Sequence, residues 1–278
     1  MQIASRIIYG TAWKKEETTA LVISAVLEGF RAIDTACQPK HYREDLVGEA
    51  LEVLRKEHGV NREELFLQTK YTPIKGHDTK LPLPYNPNDS IRDQIQTSFQ
   101  KSLANLKTTY LDSYLLHSPF RTLEQTLEAW HALMSLQDEG KVGMIGVSNT
   151  YDVNLLFALG RARKVQVVQN RWCEQNEWDR AVHNYCRGNN FMYQSFWTLT
   201  GNPSLLKHPA LLSIAAASSC TPEQAVFKFV QHEGITPLSG TTKSAHMRQD
   251  LAVHELWIPE FVDESNSHRN TIRKFLWG

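Results

Sequence analysis

Eight times along this chain a short apolar run is followed by a longer amphipathic stretch, and that alternation limits the fold more than any other feature. The runs fall at residues 7–9, 30–33, 65–67, 110–116, 142–147, 165–168, 191–193 and 235–238. The apolar spacing that follows them predicts helices near 20–27 and over 44–58, 91–106, 123–138, 153–160, 180–187, 222–232 and 246–253. Repeated strand–helix units imply parallel strands, because each helix carries the chain back across the sheet before the next strand begins. Eight units in 278 residues predict an α/β chain folded as one closed (β/α)8 TIM barrel, a single domain over 1–278. An open doubly wound sheet is the alternative. No G-x-G-x-x-G follows any of the runs, however, and Gly140, Gly143 and Gly146 have the wrong spacing for it.

The segments between the units are also informative. Residues 72–89 carry Pro73, Pro82, Pro84 and Pro87 and read as a long loop after the third run. A Pro- and Ser-containing stretch follows the seventh run. The tail, 255–278, is expected to pack on the barrel, wrapping its outside or covering one mouth. Thirty basic side chains balance 30 acidic ones, which argues against a nucleic-acid partner, since such a surface needs a basic excess. No apolar run approaches the roughly 18 residues of a membrane span, and residues 1–10 hold no signal-peptide stretch, so the default location is the cytoplasm. Cys37, Cys173, Cys186 and Cys220 form no C-x-x-C pair, which excludes a zinc ribbon or a thioredoxin-type site and predicts free thiols, with no metal. Nothing in the sequence specifies an oligomeric state.

In a barrel of this kind the site lies where strands run into their following loops. Three ionisable residues stand directly after neighbouring runs: Asp34, Lys70 and His117. Each alone reads as a cap, a solvated charge or a hydrogen-bonded structural group. Together on one mouth they would be expensive to desolvate unless paired, and such clusters mark functional sites. Around the same rim lie Ser148-Asn149, Gln169-Asn170, Gln194-Ser195 and Ser239-Gly240-Thr241.

With these residues placed, the sequence resembles the aldo-keto reductase family over almost its whole length. The resemblance is carried by Gly10-Thr11, Phe30-Arg31-Ala32-Ile33-Asp34-Thr35-Ala36, Val47-Gly48-Glu49-Ala50-Leu51, Leu67-Gln68-Thr69-Lys70, Tyr110 to His117 and Ile145-Gly146-Val147-Ser148-Asn149. It implies a (β/α)8 barrel that reduces carbonyls with NADPH, bound without a Rossmann motif. Asp34, Lys70 and His117 match three of the family's four catalytic positions. The roles are chemically coherent: a tyrosine protonates the nascent alkoxide, an ammonium stabilises the phenolate left behind, and a histidine orients the carbonyl oxygen.

The tyrosine itself is where the sequence departs. The family's register falls on Pro39 when counted from Asp34, and on His41 when counted back from Val47-Gly48. Tyr42 follows at once, in a loop longer than usual. Adjacent residues in a helical turn point about 100° apart, so His41 and Tyr42 cannot face the substrate equally. Phenol chemistry suits Lys70 and makes Tyr42 the favoured acid, with His41 beside the substrate; His41 as acid is the alternative.

The resemblance also implies a cofactor site. Ser148, Asn149 and Gln169 match the positions that bond the nicotinamide carboxamide, and Gln194, followed by Ser195, replaces a tyrosine that stacks on the nicotinamide. Where the family clamps a 2′-phosphate with Lys-Ser and an Arg, this chain has Gly240, Thr241, Lys243 and Ser244, with His246 about where the Arg falls. Gln249 and Asp250 match positions near the adenine. Trp13, Tyr71, Phe120, Trp172 and Trp197 follow strands and are expected to form an aromatic mouth suited to a bulky carbonyl. Ser118 stands where many relatives carry a Trp beside the His, which makes room. The leading reading is an NADPH-dependent reductase of a bulky or aromatic ketone or aldehyde, a small-molecule substrate, in specialised metabolism. The alternatives are imine or C=C reduction with the same cofactor, and a non-redox isomerase, lyase or ligand-binding barrel.

Overall fold

The computed structural model describes residues 7–262 and 267–278; residues 1–6, and residues 263–266 of the tail, lie outside the described residues. Eight parallel strands close in sequence order: β1 (Ile8–Gly10), β2 (Ala32–Asp34), β3 (Phe66–Tyr71), β4 (Leu111–Leu116), β5 (Val142–Ser148), β6 (Val167–Arg171), β7 (Met192–Phe196) and β8 (Ile235–Ser239), with β8 returning to pair with β1. Around them run α1 (Thr18–Glu28), α2 (Glu44–His58), α3 (Ile91–Leu106), α4 (Leu123–Asp138), α5 (Val153–Ala162), α6 (Arg180–Asn189), α7 (Pro203–Leu206), α8 (Pro209–Ala217), α9 (Pro222–His232), α10 (Ser244–Ala252), α11 (Pro259–Val262) and α12 (Ser267–Trp277). No helix among the described residues is long and apolar enough to cross a membrane. The four cysteines are free thiols.

Helices whose ends carry explicit caps fall where the spacing predicts. Ser90, Thr122 and Thr221 each accept a hydrogen bond from the backbone N–H three residues on, fixing the starts of α3, α4 and α9. Gly59, at φ 68°, ends α2 in the left-handed region. The Pro- and Ser-containing stretch after β7, for which the sequence predicts no helix, holds α7 and α8. Both open on a proline at the first helical position, where its missing N–H and fixed φ are assets, and both bury apolar side chains (Leu205, Leu211, Ile214). In the tail, Ile258, Phe261, Ile272 and Leu276 are buried, Trp277 stacks on His183 and Phe229, and Arg269 and Arg273 both reach the buried Glu233. The tail lies on the outside of the barrel, on the side of α6 and α9.

Side chains alternate in and out along each strand, which builds the interior in layers. Ile8, Ala32 and Phe66 pack with Met144 and Leu238 as an apolar plug, separate from the larger core between sheet and helices. One step toward the strand C-termini the inward residues turn polar: Asp34, Gln68, Lys70, Gln169 and Gln194, all buried. Beyond them the interior opens. Gly143 and Gly146 belong to the wall rather than to any phosphate loop, since a Cβ on Gly146 would stand 2.2 Å from the Val167 carbonyl oxygen.

Candidate active site

The polar layer is tied together by Asp34. Lys70 Nζ donates to both of its carboxylate oxygens at 2.7 Å and to the Thr35 carbonyl at 2.8 Å, so all three ammonium protons are engaged. Gln68 Nε2, at 2.7 Å, and Gln169 Nε2, at 3.0 Å, donate to the same carboxylate, and both also donate to Gln194 Oε1. Burial pushes the Lys70 pKa down; the adjacent Asp34 pulls it up, and burial wins in part. Behind Lys70 lies a second buried acid, Glu44. Its carboxylate accepts from Thr69 and Asn105, and burial raises its pKa.

Two rings lie over this layer. Residues 38–42 form a turn in which the Tyr42 N–H donates to the Gln38 carbonyl, and this brings the Tyr42 ring over Lys70, 5.4 Å from its Nζ. The His117 ring stands edge-on to Tyr42, 5.9 Å between centroids. His41 faces elsewhere. Its ring lies against Trp13 at 3.8 Å, and its carbonyl accepts from the Trp13 N–H. The adjacency of His41 and Tyr42 is thus resolved by the turn, with Tyr42 directed inward and His41 on the rim.

Burial and then the Asp34 charge raise the Tyr42 pKa, so its phenol holds its proton. Burial, followed by the charges of Lys70, His77 and His41, drives His117 well below the usual histidine value, so it is neutral. His117 Nδ1 pairs with Thr72 Oγ1 at 2.7 Å. With the Thr72 hydroxyl as donor in that pair, the imidazole proton sits on Nε2 and is available to a ligand.

Asp34, Gln169 and the two rings border one cavity of about 890 Å3, within the usual range of roughly 300–1,000 Å3 for ligand sites, with the rest of the polar layer beneath it. Asp34, His41, Tyr42, His117, Ser148, Asn149 and Gln169 line one end of it, with Trp13 and Trp197 on the rim, 65% and 47% exposed. Ser148 donates to the Gln169 carbonyl, and Asn149, at φ 50°, donates to the His117 carbonyl, which locks β5 to its neighbours at the rim. From there the cavity runs past the end of β7 and over β8 into an arm between α9 and α10. Gly240, Thr241, His246, Gln249 and Asp250 line that arm. Asp250 accepts from the Ser239 hydroxyl, and burial pushes its pKa up to about 6.

Seven expected site residues lie outside the cavity wall, Lys70 among them, held in the polar layer beneath Tyr42. Tyr71, next to the inward Lys70, points outward by strand alternation; it donates to Gln94 on α3 and stacks with Phe120, which it draws with it. Trp172 is outward and fully buried, one residue past Arg171. Ser195 is outward, paired with Thr198 Oγ1. Gln194 is inward but lies in the polar layer beneath the cavity, bonded to Gln68 and Gln169, so it does not occupy a stacking position. Lys243 is the residue before α10 and is exposed, away from the cavity.

The cavity also includes residues the sequence reading did not assign, among them Arg171 and Glu223. Arg171 and Phe196 pair across β6 and β7, and the Arg171 guanidinium lies 4.6 Å from the Trp197 ring. The signal for Arg171 was present. It stands two residues after Gln169, on the same strand face.

Comparison with known proteins points in one direction. The model of the aldo/keto reductase family matches residues 6–267. The glyoxal reductase of Bacillus subtilis (strain 168) is 29% identical, over 86% of this chain and 78% of its own. The methylglyoxal reductase DkgA of Salmonella typhimurium is 27% identical, over 87% and 81%. Among solved structures, MGS-M4, an aldo-keto reductase enzyme from a Medee basin deep-sea metagenome library, superposes with a TM-score of 0.78 at 26% identity, covering 99% of this chain and 91% of that one.

Proposed function

Because the chain belongs to the aldo/keto reductase family, we propose that it reduces the carbonyl of a ketone or aldehyde to an alcohol, using a reduced nicotinamide dinucleotide and Tyr42 as the proton donor. The observation that carries this reading is the buried Lys70–Asp34 pair lying directly under Tyr42, with neutral His117 beside it, at the end of a single cavity. The residues present fit a dinucleotide. Ser148, Asn149 and Gln169 offer amide and hydroxyl groups for a carboxamide at the catalytic end, and the arm between α9 and α10 gives the rest of the molecule somewhere to lie. When bound, the reduced nicotinamide supplies the hydride.

The chain's own residues supply the remainder. His117 Nε2–H bonds the carbonyl oxygen and fixes its direction. As that oxygen gains negative charge, Tyr42 gives up its hydroxyl proton to it, completing the alcohol, and the phenolate later recovers a proton from solvent. The Lys70 ammonium stabilises the phenolate through space, and Asp34 keeps Lys70 charged in a buried setting that would otherwise neutralise it. The rim formed by Trp13, Trp197, His41 and Phe196 suits a flat or bulky apolar carbonyl.

The cofactor form expected from the sequence is NADPH. Of the residues behind that expectation, Thr241 and His246 line the arm, while Lys243 is turned to solvent outside it.

The test is oxidation of NADPH or NADH, followed by its absorbance, against glyoxal, methylglyoxal and a set of aromatic aldehydes and ketones. Turnover by the unaltered protein, with Tyr42→Phe slower by about 10²-fold or more at unchanged cofactor affinity, is the expected result. Full activity in Tyr42→Phe would overturn the assignment of the acid and direct attention to His41→Ala.

A further inference from the structure

The arm of the cavity away from the catalytic groups has an unusual lining for a site expected to hold a phosphorylated ribose. Its walls come from three places: the first turn of α9, the end of β8, and α10. With the nicotinamide end of a dinucleotide held at Tyr42 and His117, its adenosine half has this arm to occupy.

Two carboxylates reach the wall there, Glu223 from the first turn of α9 and Asp250 from α10. No lysine or arginine side chain lines the arm among the described residues. Lys243 is exposed outside it, and Lys14 lies behind the wall, donating to the Gly240 carbonyl at 2.8 Å and resting on the Tyr9 ring. His246 is the one side chain on this arm that can become cationic. The N-terminus of α10 adds about half a positive charge. One of its backbone donors is already taken, since the Lys243 N–H goes to Thr241 Oγ1.

A ribose 2′-phosphate carries a charge of about −1.5 to −2 near neutral pH. Placed against two carboxylates, with partial compensation from one helix end and one imidazole, it is repelled. A free vicinal diol has the opposite preference, because its two hydroxyls donate to a carboxylate in charge-assisted hydrogen bonds. The same choice separates the two cofactors in dinucleotide-binding sites of other folds, where an acidic residue reads the 2′-hydroxyl and an arginine accommodates the phosphate.

We infer that this arm reads an unphosphorylated adenosine ribose, so that the protein takes NADH in preference to NADPH, and that Glu223 is the residue setting the preference. The inference rests on the nicotinamide reading given above. Glu223 is exposed in the first turn of α9, whose capping box is made by Thr221 and Gln224, so replacing Glu223 leaves the helix start intact.

The experiment is a titration of the purified protein with NADH and with NADPH near neutral pH and low salt, read as quenching of tryptophan fluorescence, since Trp13 and Trp197 border the cavity. It is repeated on Glu223→Gln and Glu223→Arg. In the unaltered protein NADH is expected to bind about tenfold more tightly or better; Glu223→Gln brings the two within about threefold, and Glu223→Arg inverts the order. NADPH binding as tightly as NADH in the unaltered protein would overturn the inference while leaving the nicotinamide reading in place. A preference for NADH that Glu223→Gln leaves unchanged would overturn the role of Glu223. Binding of neither, by protein with an intact circular dichroism spectrum, would overturn the nicotinamide reading and this inference with it.

Discussion

Lys70 and Asp34 sit at the point where stability and chemistry bear on the same atoms. Their side chains are 0% and 3% exposed, and each is the other's main compensation for leaving water. Removing one partner strands the other as a buried charge, which typically costs about 3–5 kcal/mol, whereas removing both together costs much less. Lys70→Met is therefore expected to lower the urea midpoint sharply as well as abolish turnover. Asp34→Asn combined with Lys70→Met should recover most of the stability and none of the activity. If the double variant is no more stable than Lys70→Met, the pair is not the source of the loss. At this scale the gathering of Asp34, Lys70 and His117 was legible in the sequence, because they stand at strand ends and the topology brings β2, β3 and β4 side by side. What sequence reading missed follows from the strand period. Tyr71 and Trp172 were assigned because they follow the third and sixth strands, and a displacement of one residue turns a side chain to the other face of the sheet. Glu223 gave no signal, because it stands on a helix separated from the catalytic residues by more than a hundred positions and reaches them only through the closed barrel.

The elements were legible wherever a cap and an amphipathic pattern agreed, as in α2, α3, α4 and α9. They were least so in the Pro- and Ser-containing stretch that forms α7 and α8, for which no helix was predicted although proline at a helix start is a helix signal. Glycines separate the two kinds of information further. Gly48 on α2 faces α3 so closely that a Cβ would stand 1.9 Å from the Asn105 carbonyl oxygen, and Gly146 is similarly pressed against β6. Gly160 lies inside α5 with nothing within 4 Å of an added Cβ. Substitution by alanine should therefore differ in sign among the three. Gly48→Ala and Gly146→Ala must move backbone, and each is expected to destabilise by about 1–3 kcal/mol or more. Gly160→Ala should stabilise by up to about 1 kcal/mol through helix propensity alone. Equal urea midpoints for the three variants would contradict the close approaches of α2 to α3 and of β5 to β6.

At the scale of the whole molecule, two opposed groups on the side of the barrel where the tail packs make stability depend on pH. Asp179 is buried, and burial pushes its pKa up to about 6 although Asn170 and Tyr193 both donate to it. His183 packs edge-on against the same Tyr193, and burial pushes its pKa down to about 4. The raised acid favours the folded state most when protonated. Its contribution is complete below the unfolded value near 3.8 and is lost as pH rises through about 6. The depressed base does the reverse. Its contribution is complete above the unfolded value near 6.5 and is lost as pH falls through about 4. Across the same interval the slopes of these two groups offset one another. Asp179→Asn separates them. Asparagine keeps an acceptor for Asn170 and Tyr193 and tolerates the left-handed backbone at this position, φ 48°. Relative to the parent, the variant should be nearly unchanged below about pH 4 and more stable by up to about 3 kcal/mol above about pH 6, as urea denaturation at several pH values would show. The His183 slope is then no longer offset by Asp179. A variant less stable than the parent at high pH would mean that the Asp179 carboxylate, ionised, holds β6 and β7 to the loop before α6 more strongly than its burial opposes.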